Sequence, residues 1–406
     1  MIKAGLSKKL LYVILAFPFL IFLLLPQTTL AANSSYVWTY TMGGTGSDWG
    51  TDVTIDSSDN VYLIGSFEGT VDFDPTSGTD NKTSMGGYDI FLTKINADAS
   101  YGWTYTMGGT GQDRGFGITT DSSGNVYLAG HFQETVDFDP TGGTDNKTSS
   151  EYDVFLTKIN SDASYGWTYT WTYWLRMGGL SDVRVITDSS GNVYLTGDFI
   201  ETVDFDPTSG TDNKTSNGSG DLYLIKINAD ASYGWTYTIG GTDDDGGGPG
   251  ITTDSSDNLY FTGWFRETVD FDPTGGEDNK TAEGLYYDVF LTKINSDASY
   301  GWTYTIGGTG DKQSYGLITN SSGNVYLIGW FNGTVNFDPT PGTDIKTSNG
   351  GNDIFLTKFL ASPPAQELPP TGNFSHLSAL FGLISAVTIL IAYCLNKLKK
   401  RRIFKK

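Results

Sequence analysis

Between residues 33 and 360, apolar side chains come in short runs broken by polar turns, and no stretch carries a helical period. Val126-Tyr127-Leu128-Ala129 and Val154-Phe155-Leu156-Thr157 are examples, rich in β-branched and aromatic residues and bounded by Gly, Asn, Asp and Ser. Such runs predict strands. One unit then holds four of them: around Gly117 to Thr120, Val126 to Phe132, Val154 to Ile159, and a strand about Trp103 or Trp167. Between the first two strands, Ser-Ser-Gly-Asn and Ser-Ser-Asp-Asn stretches supply residues that tolerate positive φ, as a tight hairpin requires.

The pattern repeats. The turn motif occurs at Asp56 to Asn60, Asp121 to Asn125, Asp188 to Asn192, Asp254 to Asn258 and Asn320 to Asn324, in steps of 65, 67, 66 and 66 residues. A second motif, Val71-Asp72-Phe73-Asp74-Pro75-Thr76, recurs from Val136, Val203, Val269 and Val335, with Asn336 in place of the first aspartate in the last copy. Four-stranded units repeated radially make a β-propeller, here all-β with five blades. The body opens on a lone Trp strand, Tyr36 to Thr41, and the last unit stops at Asp353 to Leu360, so the N-terminal strand is expected to complete the fifth blade and close the ring. An open β-solenoid is the competing architecture.

The units resemble bacterial SBBP-type β-propeller repeats through Asp-x-x-Gly-Asn-Val-Tyr-Leu-x-Gly, seen at Asp121 to Gly130 and Asp188 to Gly197. The resemblance spans about Tyr36 to Leu360 and implies fold and surface location but no reaction. It departs in the longer period and in the third unit, where Trp171-Thr172-Tyr173-Trp174-Leu175-Arg176 looks like a local duplication.

The ends carry a different signal. Residues 1–32 place Lys3, Lys8 and Lys9 before an apolar run from Leu10 to Leu25 and small residues at Thr29 and Ala31, as in a secretory signal peptide. An uncleaved N-terminal anchor is the alternative. Residues 361–367 form a Pro-rich spacer, followed in 368–406 by Leu368-Pro369-Pro370-Thr371-Gly372, an apolar segment at 377–395 and a basic tail. At ~1.5 Å per residue that segment is about 28 Å long as a helix, enough for a bilayer core, and the tail sets it positive-inside. Leu368 to Gly372 resembles the LPXTG signal of Gram-positive sortase substrates. That resemblance implies cleavage between Thr371 and Gly372, transfer to a cell-wall amine of peptidoglycan, and membrane attachment only before processing. A plain C-terminal transmembrane anchor is the other reading.

Charge narrows the partners. Ten of the 25 basic residues lie in the two ends, leaving 15 against 46 acidic ones in the exported part, a balance that repels nucleic acid. The single cysteine, Cys394, lies in the C-terminal apolar segment, so the body has neither disulfide nor thiol chemistry.

Candidate chemistry concentrates in the Asp-rich loops. Asp72, Asp74 and Asp80, with Asp137, Asp139 and Asp145, Asp204, Asp206 and Asp212, and Asp270, Asp272 and Asp278, offer the oxygen ligands that Ca²⁺ prefers. The same aspartates could equally cap turns, or pair with Lys94, Lys158, Lys226, Lys293 and Lys358. Trp264 and Trp330, at equivalent positions, could stack on sugar rings or fill the core. His131 is the body's one histidine, leaving no multi-histidine zinc site and a single candidate base for a triad. Asp243-Asp244-Asp245 breaks the repeat and is expected to form a flexible acidic loop; the rival use is as glycosidase carboxylates. The expected function is a non-enzymatic surface protein presenting a propeller for glycan or protein binding. A purely structural display module is the alternative, and a secreted carbohydrate-active hydrolase a third reading.

Overall fold

A computed structural model describes residues 36–173 and 183–360. The expected signal peptide, spacer, sorting signal, membrane segment and the Trp174–Arg176 stretch fall outside these residues. Within them every regular element is a strand.

Three four-stranded antiparallel sheets, a fourth whose outer strand also carries a hairpin, and a three-stranded sheet follow one another in chain order. The first consists of Trp49–Ile55, Val61–Phe67, Asp89–Ile95 and Tyr101–Met107, each paired with its sequence neighbour. The second uses Arg114–Thr120, Val126–Asp137, Asn146–Ile159 and Tyr165–Tyr173, matching the strands expected from the short apolar runs. The first strands of successive sheets lie side by side. Thr120 Oγ1 donates to Ile55 O at 2.9 Å, Thr187 Oγ1 to Thr120 O at 2.9 Å and Thr319 Oγ1 to Thr253 O at 2.6 Å. This is a propeller arrangement, in which four of the sheets each hold a four-stranded blade.

The core lies between blades. Ile90 and Leu92 on the third strand of the first blade are fully buried against Ile118, Val126 and Leu128 of the second. The same positions recur as Val154 and Leu156, Leu222 and Leu224, and Val289 and Leu291, all buried against the following blade. At about 25 cal/mol per Å² of buried apolar surface, these stripes supply most of what holds neighbouring blades together.

Between the second and third strands a short hairpin, Thr70–Asp72 with Asn81–Thr83, folds back over the blade and plants Val71 and Phe73 in its core. In the fifth unit this hairpin, Thr334–Asn336 with Ile345–Thr347, is also joined to the outer strand of the fourth blade.

Tyr36 to Thr41 forms no strand, and the last sheet, Lys312–Thr319, Val325–Phe331 and Asp353–Phe359, keeps three. Ile354 and Leu356, the counterparts of Ile90 and Leu92, are 80% and 70% exposed. Pairing of the terminal strand is a long-range contact that strand pattern alone cannot fix. Tyr165–Tyr173 pairs with Asn146–Ile159 from Tyr165↔Ile159 to Tyr173↔Tyr152, with one register shift between Tyr165 and Trp167, and the rest of the apparent duplication lies outside the described residues.

Candidate functional site

Each Asp-rich loop is an extension of the short hairpin. Its first aspartate, Asp72, accepts from Asp74 N at 3.1 Å and Asp80 N at 2.9 Å through Oδ1. Asp74 Oδ1 accepts from the amide and the hydroxyl of Thr76, at 2.9 and 2.5 Å. Asp80 takes Lys82 Nζ on Oδ1 at 2.9 Å and the Tyr101 hydroxyl on Oδ2 at 2.5 Å. The other units copy these contacts: Asp137 and Asp204 receive Asp145 N and Asp212 N, and Asp270 receives Asp278 N. Asp139, Asp206 and Asp272 hold Thr141, Thr208 and Thr274. Gly78 is required because a Cβ there would lie 2.0 Å from Asp74 Oδ2.

The fifth unit separates charge from hydrogen bonding. Asn336 Oδ1 accepts from Asp338 N at 3.2 Å and Asp344 N at 2.8 Å, the same two bonds Asp72 makes. A neutral amide does the work, so the geometry uses the first position as an acceptor that closes the turn. Among the described residues no cluster of three or more His, Cys, Asp or Glu is placed to hold a metal ion.

The lysines at the repeated strand position do not join these loops. Lys94 Nζ lies 5.6 Å from the centre of the Tyr62 ring, and Lys158, Lys226, Lys293 and Lys358 lie over Tyr127, Tyr194, Tyr260 and Tyr326. The loop aspartates pair instead with Lys82, Lys147, Lys214, Lys280 and Lys346 of the short hairpins. These follow the aspartate by two residues and so share its face of the strand.

Trp264 and Trp330 are half-buried. Trp264 meets Tyr287 edge-on at 4.4 Å, and Trp330 Nε1 donates to the hydroxyl of Tyr315, an exposed side chain, at 3.2 Å. Their counterpart His131 is fully buried and packs edge-on against Phe116 at 5.3 Å. Burial, with the Arg114 guanidinium beside it, pushes the His131 pKa down to about 3. That is the wrong direction for a base working near neutrality.

The acidic run of the fourth unit is ordered rather than flexible. Asp245 is buried and accepts from Gly241 N at 2.5 Å and Arg266 N at 2.9 Å; Asp244 accepts from the Tyr287 hydroxyl at 3.2 Å, and Asp243 faces Arg266 at 3.7 Å. The two N–H donors on Asp245 stand in for the water that burial takes from the carboxylate. Asp113 is its counterpart, accepting from Gly109 N at 2.8 Å and Gln133 N at 3.0 Å. The acidic loop is thus a copy of the turn around Asp113, with Asp245 in its place.

Sequence reasoning passed over a second carboxylate at these boundaries, the aspartate that opens the third strand. Asp89, Asp221 and Asp288 are 3%, 1% and 2% exposed. Burial raises the pKa of Asp89 to about 7, with Asp113 contributing, and that of Asp221 to about 6, with Asp245 contributing. The signal was in the sequence: an aspartate begins every Asp-hydrophobic-Phe-Leu-Thr-Lys-type segment, at a position where a strand buried on both faces has no place for an unpaired charge.

No protein-family profile matches the chain. It is similar to an uncharacterized WD repeat-containing protein of Acanthamoeba polyphaga mimivirus, at 23% identity over 89% of this chain and 30% of that protein. It is also similar to the regulatory protein FlaEY of Caulobacter vibrioides, at 25% identity over 74% of this chain and 32% of that protein. The chain spans about a third of the length of these relatives. Blade geometry and the WD-repeat relative together make this a β-propeller-like repeat protein, an architecture consistent with a non-enzymatic binding module.

Proposed function

We propose that the chain is a non-catalytic binding module displayed at the outer surface of a cell envelope, with a glycan or a protein as its ligand. One observation carries this reading. Every unit holds out the same tip on the Asp-rich loop, a half-buried proline followed by an exposed threonine, fixed by matching internal hydrogen bonds and a buried phenylalanine. Rigid copies of one chemistry engage a repetitive ligand with avidity and lose little entropy in doing so. The polar groups that vary between units, among them Asp245 and Lys312, are tied into loop and interface contacts. Export through residues 1–32 and sortase attachment at Thr371 would place these tips outside the cell.

Closure of the ring by Tyr36 to Thr41 belongs to the same proposal. Beside the third strand of the last sheet is a cavity of about 710 Å³, lined by Phe337, Asp344, Phe355 and Phe359 among others. In the first blade, the outer strand pairs with the third through Thr93↔Thr104 and Lys94↔Trp103. Thr39 and Trp38 carry the matching sequence toward Thr357 and Lys358.

The test is binding of the purified full chain to a broad glycan array, with CaCl₂ and with EDTA. Binding to one sugar class that falls when Trp330→Ala removes the Trp330–Tyr315 platform supports a lectin-like module. Binding to no sugar under either condition overturns the glycan reading and leaves a protein ligand.

A further inference from the structure

One atom of the protein is met in two ways. The aspartate opening the third strand uses Oδ2 to close the preceding loop: from Met85 N to Asp89 at 3.1 Å, from Asn217 N to Asp221 at 3.0 Å, and from Glu283 N to Asp288 at 2.9 Å. Its Oδ1 is the other atom. In Asp288 that oxygen receives the ammonium of Lys312 from the next blade at 2.7 Å, in a pair 2% and 0% exposed, while Nζ also donates to Tyr287 O at 3.0 Å. In Asp89 and Asp221 the same Oδ1 is buried without a hydrogen-bond partner.

The register explains the difference. Lys312 pairs with Phe331 just before Gln313↔Trp330, so it holds the place of Asp113 before Arg114↔His131 and of Asp245 before Gly246↔Trp264. At the fourth boundary the chain supplies a cation of its own. At the first and third it supplies a second carboxylate. Asp113 and Asp245 have both oxygens committed to main-chain N–H groups, so neither can serve Oδ1 as a donor.

A second unpartnered oxygen lies on the facing loop of the first boundary. Gln112 Oε1 is likewise buried without a partner. The loop carrying it is laced to the Asp89 loop by Gly87 N to Gly111 O at 3.1 Å and Asp113 N to Tyr88 O at 2.8 Å. At the third boundary Asp244 takes the position of Gln112, and Ser219 N and Asp245 N make the matching bonds to Asp243 O and Gly220 O. No side chain larger than glycine fits beneath these carboxylates, for a Cβ on Gly108 would lie 2.4 Å from Asp89 Oδ1 and one on Gly240 2.2 Å from Asp221 Oδ1. Buried carboxylate, amide and main-chain oxygens are the donors that hard cations take.

We propose that the first and third blade boundaries each bind one hard divalent cation of the calcium class, ligated by Asp89 Oδ1 with Gln112 Oε1 and by Asp221 Oδ1 with the Asp244 carboxylate, where Lys312 Nζ stands at the fourth. The cation ties adjacent blades as the lysine does. These sites are separate from the Asp-rich loops and independent of any exported location or ligand.

The experiment is calcium titration of the full chain in metal-depleted buffer, read by calorimetry and by the melting temperature against EDTA. The expected stoichiometry from these sites is two per chain, falling to one in Asp89→Asn or Asp221→Asn and to none in the double variant. Terbium luminescence sensitised by Trp49 and Tyr88, whose rings meet tilted at 4.8 Å beside Arg114, should report the first site and vanish in Asp89→Asn alone. Asp113→Lys with Asp245→Lys, which copies the fourth boundary, should melt at a temperature that no longer responds to Ca²⁺. Calcium binding by wild type that survives undiminished in the double Asn variant would place the ion elsewhere, in the Asp-rich loops. Absence of binding by wild type would leave Oδ1 to buried water. Either result overturns the proposal, and the wild-type measurement decides even if a variant fails to fold.

Discussion

The hydroxyl of Tyr105 donates to the carbonyl of Ala163 at 2.8 Å, joining the outer strand of one blade to a turn of the next. Tyr169 does the same to Ala231 and Tyr237 to Ala298, both at 2.7 Å, and Tyr40 reaches Ala99 at 2.7 Å. Each receiving alanine sits at positive φ, from 65° to 69°, the left-handed region that alanine rarely adopts. The turn therefore holds a strained residue whose carbonyl faces the preceding blade. Tyr169→Phe should lower unfolding free energy by about 1 kcal/mol, the net worth of one hydrogen bond. Ala231→Gly should remove the steric strain and leave the bond, giving equal or greater stability in a urea titration.

Tyr40 occupies the first blade as though a blade preceded it, which yields a test of closure. If Tyr36 to Thr41 completes the last sheet in the register of the other blades, Thr39→Cys with Thr357→Cys should form an intramolecular disulfide under mild oxidation. The crosslinked chain should run as a monomer on non-reducing gels and melt higher than its reduced form. A ladder of crosslinked multimers would show strand exchange between copies instead.

The exchange of Asp72 for Asn336 in the fifth unit predicts an asymmetry between two substitutions. Asp72→Asn keeps an acceptor for Asp74 N and Asp80 N and should change stability by less than about 0.5 kcal/mol. Asp72→Ala strands both N–H groups and should cost about 1–3 kcal/mol. Equal losses from the two substitutions would mean that the charge itself is used.

Lys312 and Asp288 form a buried pair whose members have no water to fall back on. Lys312→Met should destabilise by about 3–5 kcal/mol because it leaves the Asp288 carboxylate buried and unpaired. Adding Asp288→Asn should recover much of the loss. A double-mutant cycle on thermal or urea unfolding measures this coupling.

His131 gives a pH dependence of determined sign. Its folded pKa, about 3, lies below the unfolded value of 6.5, so the unfolded chain binds the proton more readily. The neutral ring's contribution is complete above pH 6.5 and is lost as pH falls from there toward 3, at up to about 1.4 kcal/mol per unit. Asp89, Asp113 and Asp221 act oppositely: their raised pKa values make the fold more stable as pH falls through about 7 and 6. Comparing wild type with His131→Phe across pH 4 to 8 isolates the histidine, because the carboxylates are common to both.

Strand positions, the repeat and its four-stranded unit were legible in the sequence, since short apolar runs and turn residues are local and five copies reinforce one pattern. The Asp-rich loops were legible as turns for the same reason: Asp72 and Asp80 lie close enough in the chain to find each other without help. What the repeat could not express was which groups meet across a blade boundary. Asp89 is unremarkable until folding sets it beside Asp113, and Lys312 looks like any surface lysine until its ammonium is found against Asp288. Nor could pattern decide whether Tyr36 to Thr41 reaches the last sheet, because strand pairing over the length of the chain is won by the geometry of the assembled blades. Local chemistry repeats with the sequence; charge pairing and closure depend on distances that only the tertiary structure sets.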